Sequence, residues 1–159
     1  MCAVGALAQQ EAPWPHASWS VRQLEAMICE KGNLLNKPTN AQKVRGFAVA
    51  KEIPLQEIAD TLAAIVVGRK DALLRIRALS TLRQLGDSRG DSVLSAAVDG
   101  PDSTLRCYSL YEYPWYDPYA VPRLCQSVLS VSPGSPYTET DRSSFLAGIG
   151  CLLDPSSTV

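Results

Sequence analysis

Apolar residues recur at helical spacing along most of this chain, and no stretch alternates strictly between apolar and polar as a half-buried strand does. Ser20 followed three residues later by Gln23 has capping-box spacing, and Leu24, Met27 and Ile28 then form one face. Gly32 and Asn33 close that helix. Thr39 and Asn40 can cap a second helix carrying Val44, Phe47, Ala48 and Ile53. Pro54 suits the first turn of a third, whose face is Leu55, Ile58, Leu62, Ile65 and Val66 and whose stop is Gly68.

From Lys70 to Leu85 there is neither Gly nor Pro, and Leu74, Ala78, Leu82 and Leu85 lie on one stripe. Leu73, Ile76 and Leu79 widen the apolar arc, which predicts a helix packed on more than one side. Gly86–Asp91 reads as a turn, and helical signals resume over Ser92–Val98, Ser103–Tyr113, Tyr119–Val131 and Asp141–Leu153. The expected fold is all-α, with residues 18–159 as one domain and residues 1–17 as a lead-in.

A shift of 31 residues lays Lys70–Gly100 on Pro101–Val131. Asp71 then meets Asp102, Leu74 meets Leu105, Arg75 meets Arg106 and Leu79 meets Leu110. In each copy Asp and Arg stand four apart, which sets them side by side on one helix surface and suggests a pair within the helix. Asp-x-x-Leu-Arg opening a helix, then a turn and a second apolar helix, resembles the HEAT-type repeat. Pro114-Trp115-Tyr116-Asp117-Pro118 departs from the pattern and is expected to end the leading helix of the second copy early. The resemblance implies helix pairs that stack, as a short solenoid or an irregular bundle, and a surface presented to another protein.

Composition narrows the function classes. Apolar residues are 46% and charged residues 19% of the 159, a globular balance. A net charge of −1 gives no electrostatic reason to attract nucleic acid or an anionic membrane, and no apolar run is long enough for a membrane span. Residues 1–8 are small and apolar and end in Ala6-Leu7-Ala8, which resembles the last part of a secretory signal with its cleavage site, although a basic start is missing. An unstructured apolar lead-in is the other reading. If the protein is exported to the periplasm or beyond, Cys29, Cys107, Cys125 and Cys151 are expected to hold at least one disulfide. If it is cytoplasmic, the four are small buried thiols.

Chemistry is hard to assemble from these residues. Gly86-Asp-Ser88 and Gly90-Asp-Ser92 resemble the nucleophile block of SGNH-type esterases, but helix precedes them and the only histidine is His16 in the lead-in. Arg89-Gly90-Asp91 is an adhesive tripeptide that doubles as ordinary turn chemistry. No Cys-x-x-Cys or histidine pair offers a zinc site, and no cofactor is expected.

The unusual segment is Cys107–Tyr119, which gathers Trp115 and five of the six tyrosines. Tyr and Trp combine apolar area with a polar handle and are favoured at interfaces. Trp115, Tyr116 and Tyr119, with Tyr137 from the loop Ser130–Thr140, are the expected partner-binding residues; filling space between stacked helices is the alternative. The expectation is a non-catalytic protein-binding module. Its size and the signs of export look broadly similar to small helical immunity proteins that neutralise a secreted toxin or cell-wall hydrolase. A cytoplasmic HEAT-like scaffold is the alternative, and self-association into a homodimer is left open.

Overall fold

The computed structural model describes residues 21–30, 39–130 and 132–153. The capping residue Ser20, the stop at Gly32-Asn33, His16, Cys2 and the lead-in itself lie outside these residues, as does Val131. Among the described residues the chain is all-α. Its helices are α1 (Val21–Cys29), α2 (Asn40–Lys51), α3 (Leu55–Gly68), α4 (Ala72–Leu85), α5 (Ser88–Ala97), α6 (Ser103–Tyr116), α7 (Val121–Val128) and α8 (Glu139–Leu153). A 3-10 turn at Pro118–Ala120 leads into α7.

The helix starts follow from side chains that satisfy free backbone N–H groups. Thr39 caps α2 through a complete capping box: its hydroxyl accepts from the Gln42 amide at 3.2 Å, and the Gln42 side chain accepts from the Thr39 amide at 2.7 Å. Asp71 caps α4 and Asp102 caps α6, each accepting from the amide three residues on, at 2.7 and 3.0 Å. Gly86 ends α4 in the left-handed region at φ 80°.

Three boundaries that differ from the sequence pattern have a local setting. The turn expected at Gly86–Asp91 is shorter, because Asp87 accepts from the Arg89 amide and starts α5 at Ser88. Gly90, having no Cβ, lets α5 press against α4; a Cβ there would stand 2.8 Å from Arg83 Cγ and 3.0 Å from its amide nitrogen. Helix α6 does not stop before Pro114 but runs through it to Tyr116, with Pro114 buried. Helix α8 begins at Glu139, two residues early, because Thr138 and Asp141 form a reciprocal cap.

The 31-residue offset carries α4, Ala72–Leu85, onto the bounds of α6, Ser103–Tyr116, and the end of α5 at Ala97 onto the end of α7 at Val128. Arg75 and Arg106 occupy the same position in their helices, but the pair expected between Asp71 and Arg75 is not what forms. Asp71 is occupied in capping its own helix. Arg75 instead reaches forward to Asp102, the cap of α6, at 2.7 Å and back to the Val66 carbonyl at the end of α3, also at 2.7 Å. Arg106 repeats the arrangement. It reaches Asp141 at the start of α8 at 2.9 Å and the Gly100 carbonyl beyond the end of α5 at 2.8 Å. Each arginine therefore joins the carbonyl end of the preceding helix to the amino end of the next leading helix, where opposite partial charges sit.

Burial divides into two clusters. The first is built from α1 to α4, with Leu24, Ile28, Val44, Ile58, Leu62 and Leu79 fully buried, and it takes in Ala97 and Leu105. The second is built from α5 to α8 around Leu94, Leu110, Leu124, Val128 and Phe145. Tyr108 is half-buried and packs against both. Helices α6 and α8 lie parallel and close: Cys107 meets Asp141 near their starts, and Tyr111 meets Gly148 and Cys151 further along.

Candidate functional site

Two surface features stand out once the helices are placed, an aromatic corner where α6 meets the 3-10 turn and an open groove between α4, α6 and α8. At the corner Trp115 is 41% exposed, Tyr116 40% and Tyr119 95%. Tyr113, one turn back, is buried in the second cluster and meets Tyr116 edge-on, with ring centroids 5.5 Å apart. The Arg83 guanidinium lies over the Tyr116 ring, 5.7 Å from its centroid. Arg83 is itself fixed by Glu112 at 2.9 Å and Asp91 at 3.3 Å. The Asp117 carboxylate accepts from the Tyr119 amide at 3.1 Å and sets the turn. Tyr116 is thus held on two sides while part of its ring faces solvent.

Tyr137, expected beside these three, lies elsewhere. Only 7% of it is exposed, it packs in the second cluster, and its hydroxyl donates to the Asp99 carboxylate. Burial, and then the bond to Asp99, push its phenol up to about 12. Its role is to tie the loop before α8 to the end of α5.

The groove was not visible in the sequence, because three separate helices make it. It has a volume of about 850 Å³ and is lined by Ile76 of α4, by Thr104, Tyr108 and Tyr111 of α6, and by Ser144 and Ala147 of α8, among others. The linking signal is a stripe on α6, since Thr104, Tyr108, Tyr111 and Trp115 follow at four, three and four residues and share a face. Phenols in the groove are held in the neutral form: burial raises Tyr108, while the contact with Cys151 and then burial raise Tyr111.

The cysteines do not meet as disulfides; Cys29, Cys107, Cys125 and Cys151 are all free thiols. They are dispersed and engaged elsewhere. Cys29 packs on the first cluster and Cys125 on the second. Cys107 donates to Asp141 at 3.2 Å, and Cys151 lies 3.7 Å from the Tyr111 hydroxyl. Burial raises the thiols of Cys29 and Cys107, and the bond to Asp141 raises Cys107 further, so neither is an activated nucleophile.

The Arg89-Gly90-Asp91 tripeptide is folded into the first turn of α5 rather than displayed. Arg89 pairs with Asp87 at 2.7 Å and Asp60 at 2.6 Å, Asp91 pairs with Arg83, and Gly90 is buried. Both Gly-Asp-Ser segments lie at this same helix start, so neither serine sits at the end of a strand. Among the described residues Asp141 is the one fully buried carboxylate, and it is saturated by Arg106, by the amide and hydroxyl of Thr138 and by Cys107. Among the described residues no three His, Cys, Asp or Glu side chains come together as a metal site, and no helix is long and apolar enough to cross a membrane. No family model matches the chain, and neither curated proteins nor solved structures give a match.

Proposed function

We propose that this chain is a non-catalytic protein-binding module that uses the aromatic corner of Trp115, Tyr116 and Tyr119 as its anchor. The observation that carries the reading is the exposure of three large aromatic side chains within five residues, Trp115 and Tyr116 at the end of α6 and Tyr119 in the turn after it, where Arg83 and Tyr113 hold Tyr116 and Asp117 sets the turn. Fixed aromatic anchors lose little conformational freedom on binding, and such residues dominate many interfaces. The form suggested by Ala6-Leu7-Ala8 is an exported inhibitor or immunity protein that occupies a toxic cell-wall-degrading enzyme. The four free thiols favour the second form, a HEAT-like scaffold in a reducing compartment. Fractionation of the native cells distinguishes the two forms.

The test of the binding reading uses paired baits, the unaltered protein and Trp115→Ala/Tyr119→Ala, in co-purification from the native cells. The expected result is a partner held by the first bait and lost by the second, with equal melting temperatures. Because truncation of an aromatic anchor commonly costs more than about 2 kcal/mol, the loss should be roughly thirtyfold or more. Retention of every partner by both baits would overturn the assignment of the corner.

A further inference from the structure

The leading helices α4, α6 and α8 align position by position from their caps, Asp71, Asp102 and Thr138. Arg75, Arg106 and Arg142 then fall together at the fourth place beyond the cap. The face beside them takes the fifth, eighth, ninth and twelfth places. In α4 these are Ile76, Leu79, Ser80 and Arg83, and in α6 they are Cys107, Leu110, Tyr111 and Pro114; each is buried or half-buried. Part of this face of α6 is what meets α8, since Cys107 reaches Asp141 and Tyr111 lies on Gly148. In α8 the same places are Ser143, Leu146, Ala147 and Gly150, and all four are exposed. Leu153, one turn further on, is 80% exposed. Among the described residues no helix covers this face. A stack whose end faces water carries polar residues there. Here two leucines, an alanine and a glycine stand with one serine, and no charged residue occurs between Arg142 and Leu153.

We propose that this face of α8 is a self-association surface, on which a second copy of the chain packs its own α8 antiparallel about a two-fold axis between Leu146 and Ala147. Such an axis sets the face against its own image. Leu146 of one copy then lies opposite Ala147 of the other, and Ser143 opposite Gly150, so large meets small and the helices approach closely. Gly150 is the residue that a single chain does not explain. A Cβ there meets nothing within 4 Å, whereas at Gly148 the closeness of α6 requires glycine. Glycine inside a helix weakens it, and the close approach of another backbone is what it permits. Charge favours the antiparallel direction. Helix α8 has no basic residue in its last turn, so no side chain there offsets the partial negative charge of its final carbonyls. Arg142, paired with Glu139 at 3.4 Å, stands at the amino end of the face and leans further that way, as helical side chains do. Antiparallel pairing brings it to the carbonyl end of the other copy; parallel pairing would set two arginines together. The face is a strip about 22 Å long and one helix wide. That is less than the roughly 800 Å² per partner of a standard interface, so the dimer is weak, with a dissociation constant on the order of 10–100 µM. It shares no residue with the aromatic corner, and neither reading rests on the other.

Sedimentation equilibrium of the full chain from about 5 to about 500 µM reads the pairing directly. The expected result is an average mass that rises from that of one chain towards that of two and stops there, because a two-fold contact is closed. Leu146→Arg sets like charges across the axis at a position that is already exposed. It should keep the chain monomeric over the whole range, with an unchanged melting temperature at low concentration. Gly150→Gln replaces a helix glycine where there is open space, so it should raise the melting temperature at low concentration. The same change should weaken association about tenfold or more by holding the two backbones apart. Those opposite signs separate a lost contact from general loss of stability, and they stand even if Leu146→Arg does not fold. A single-chain mass at the top of the range overturns the proposal. So does a dimer that neither variant weakens, because the contact then lies on another surface, and so does a mass that grows beyond two chains.

Discussion

Gly148 of α8 rests directly on the main chain of α6 at Tyr111: a Cβ at position 148 would stand 2.2 Å from the Tyr111 carbonyl oxygen and 2.9 Å from its carbonyl carbon. Backbone cannot move aside as a side-chain tip can. Gly148→Ala is therefore expected to push α6 and α8 apart and cost about 3 kcal/mol or more, the upper end of overpacking penalties. Gly46 in α2 is the control, since a Cβ there meets nothing within 4 Å. Gly46→Ala should stabilise by about 0.5–1 kcal/mol through helix propensity alone. Urea denaturation of the two variants reads both signs; equal effects would show that the close approach is not what fixes the α6–α8 packing.

The contrast between these glycines shows where sequence reasoning reaches and where it stops. Thr39 was legible as a cap because a cap is a local event, complete within four residues, whereas Asp71 and Asp102 read as partners of the arginines four residues on and cap their helices instead. The stripe of α4 was legible because its periodicity is internal to the helix. The role of Arg75 was not: i,i+4 spacing offers Asp71 as its partner, and only the placement of α6 brings Asp102 to it. Gly148 reads in sequence as a weak helix former, since its value lies in a helix 37 positions away. For the candidate site, the exposure of Trp115, Tyr116 and Tyr119 followed from crowding at a turn, whereas the burial of Tyr137 depends on Asp99, 38 residues earlier.

Asp141 should make the fold acid-sensitive. Its burial favours the neutral acid, but Arg106, the Thr138 amide and hydroxyl, and Cys107 outweigh this and hold it down at about 2. An unfolded carboxylate titrates near 3.9. A folded value below the unfolded one contributes stability that is fully present above about pH 4 and lost as pH falls towards about 2. For this fully buried group the contribution is about 2–3 kcal/mol. Asp141→Asn leaves Arg106 buried without its counter-charge and should cost about 3–5 kcal/mol at neutral pH. Its stability should also fall less steeply than that of the unaltered protein between pH 4 and 2. Parallel slopes in pH-dependent urea melts would remove Asp141 as the source.

Glu52 offers an independent gain in stability. It ends α2 with φ 55°, a left-handed conformation in which a side chain is disfavoured. Its amide bonds the carbonyls of Ala48 and Val49, so the backbone shape is needed there, and the side chain is exposed. Glu52→Gly should relieve the strain and stabilise the protein by about 0.5–1 kcal/mol, part of the gain being offset by the freer unfolded chain. A lower melting temperature would show that the Glu52 side chain contributes contacts that outweigh the strain.

Tyr119 and Tyr137 lie 18 residues apart and should respond in opposite ways to the same kind of change. Tyr119 is 95% exposed, so its ring contributes almost nothing to the folded state that it does not also have in the unfolded one. Tyr119→Ala should shift stability by no more than about 0.5 kcal/mol, as for ordinary surface positions. Tyr137 is buried, and its hydroxyl donates to the Asp99 carboxylate, joining the loop before α8 to the end of α5. A hydrogen bond to a charged acceptor contributes about 1.5–3 kcal/mol. Tyr137→Phe keeps the ring and removes only that bond; Asp99 is exposed and regains water, so the expected loss is nearer about 1–2 kcal/mol. The two substitutions also differ in what they should do to partner binding. Tyr119→Ala should weaken it with the melt unchanged, and Tyr137→Phe should lower the melt and leave affinity for a partner unchanged at temperatures where the protein stays folded. Thermal melts beside a binding measurement decide between surface and core for both residues, and a large stability loss from Tyr119→Ala would remove it from the docking corner.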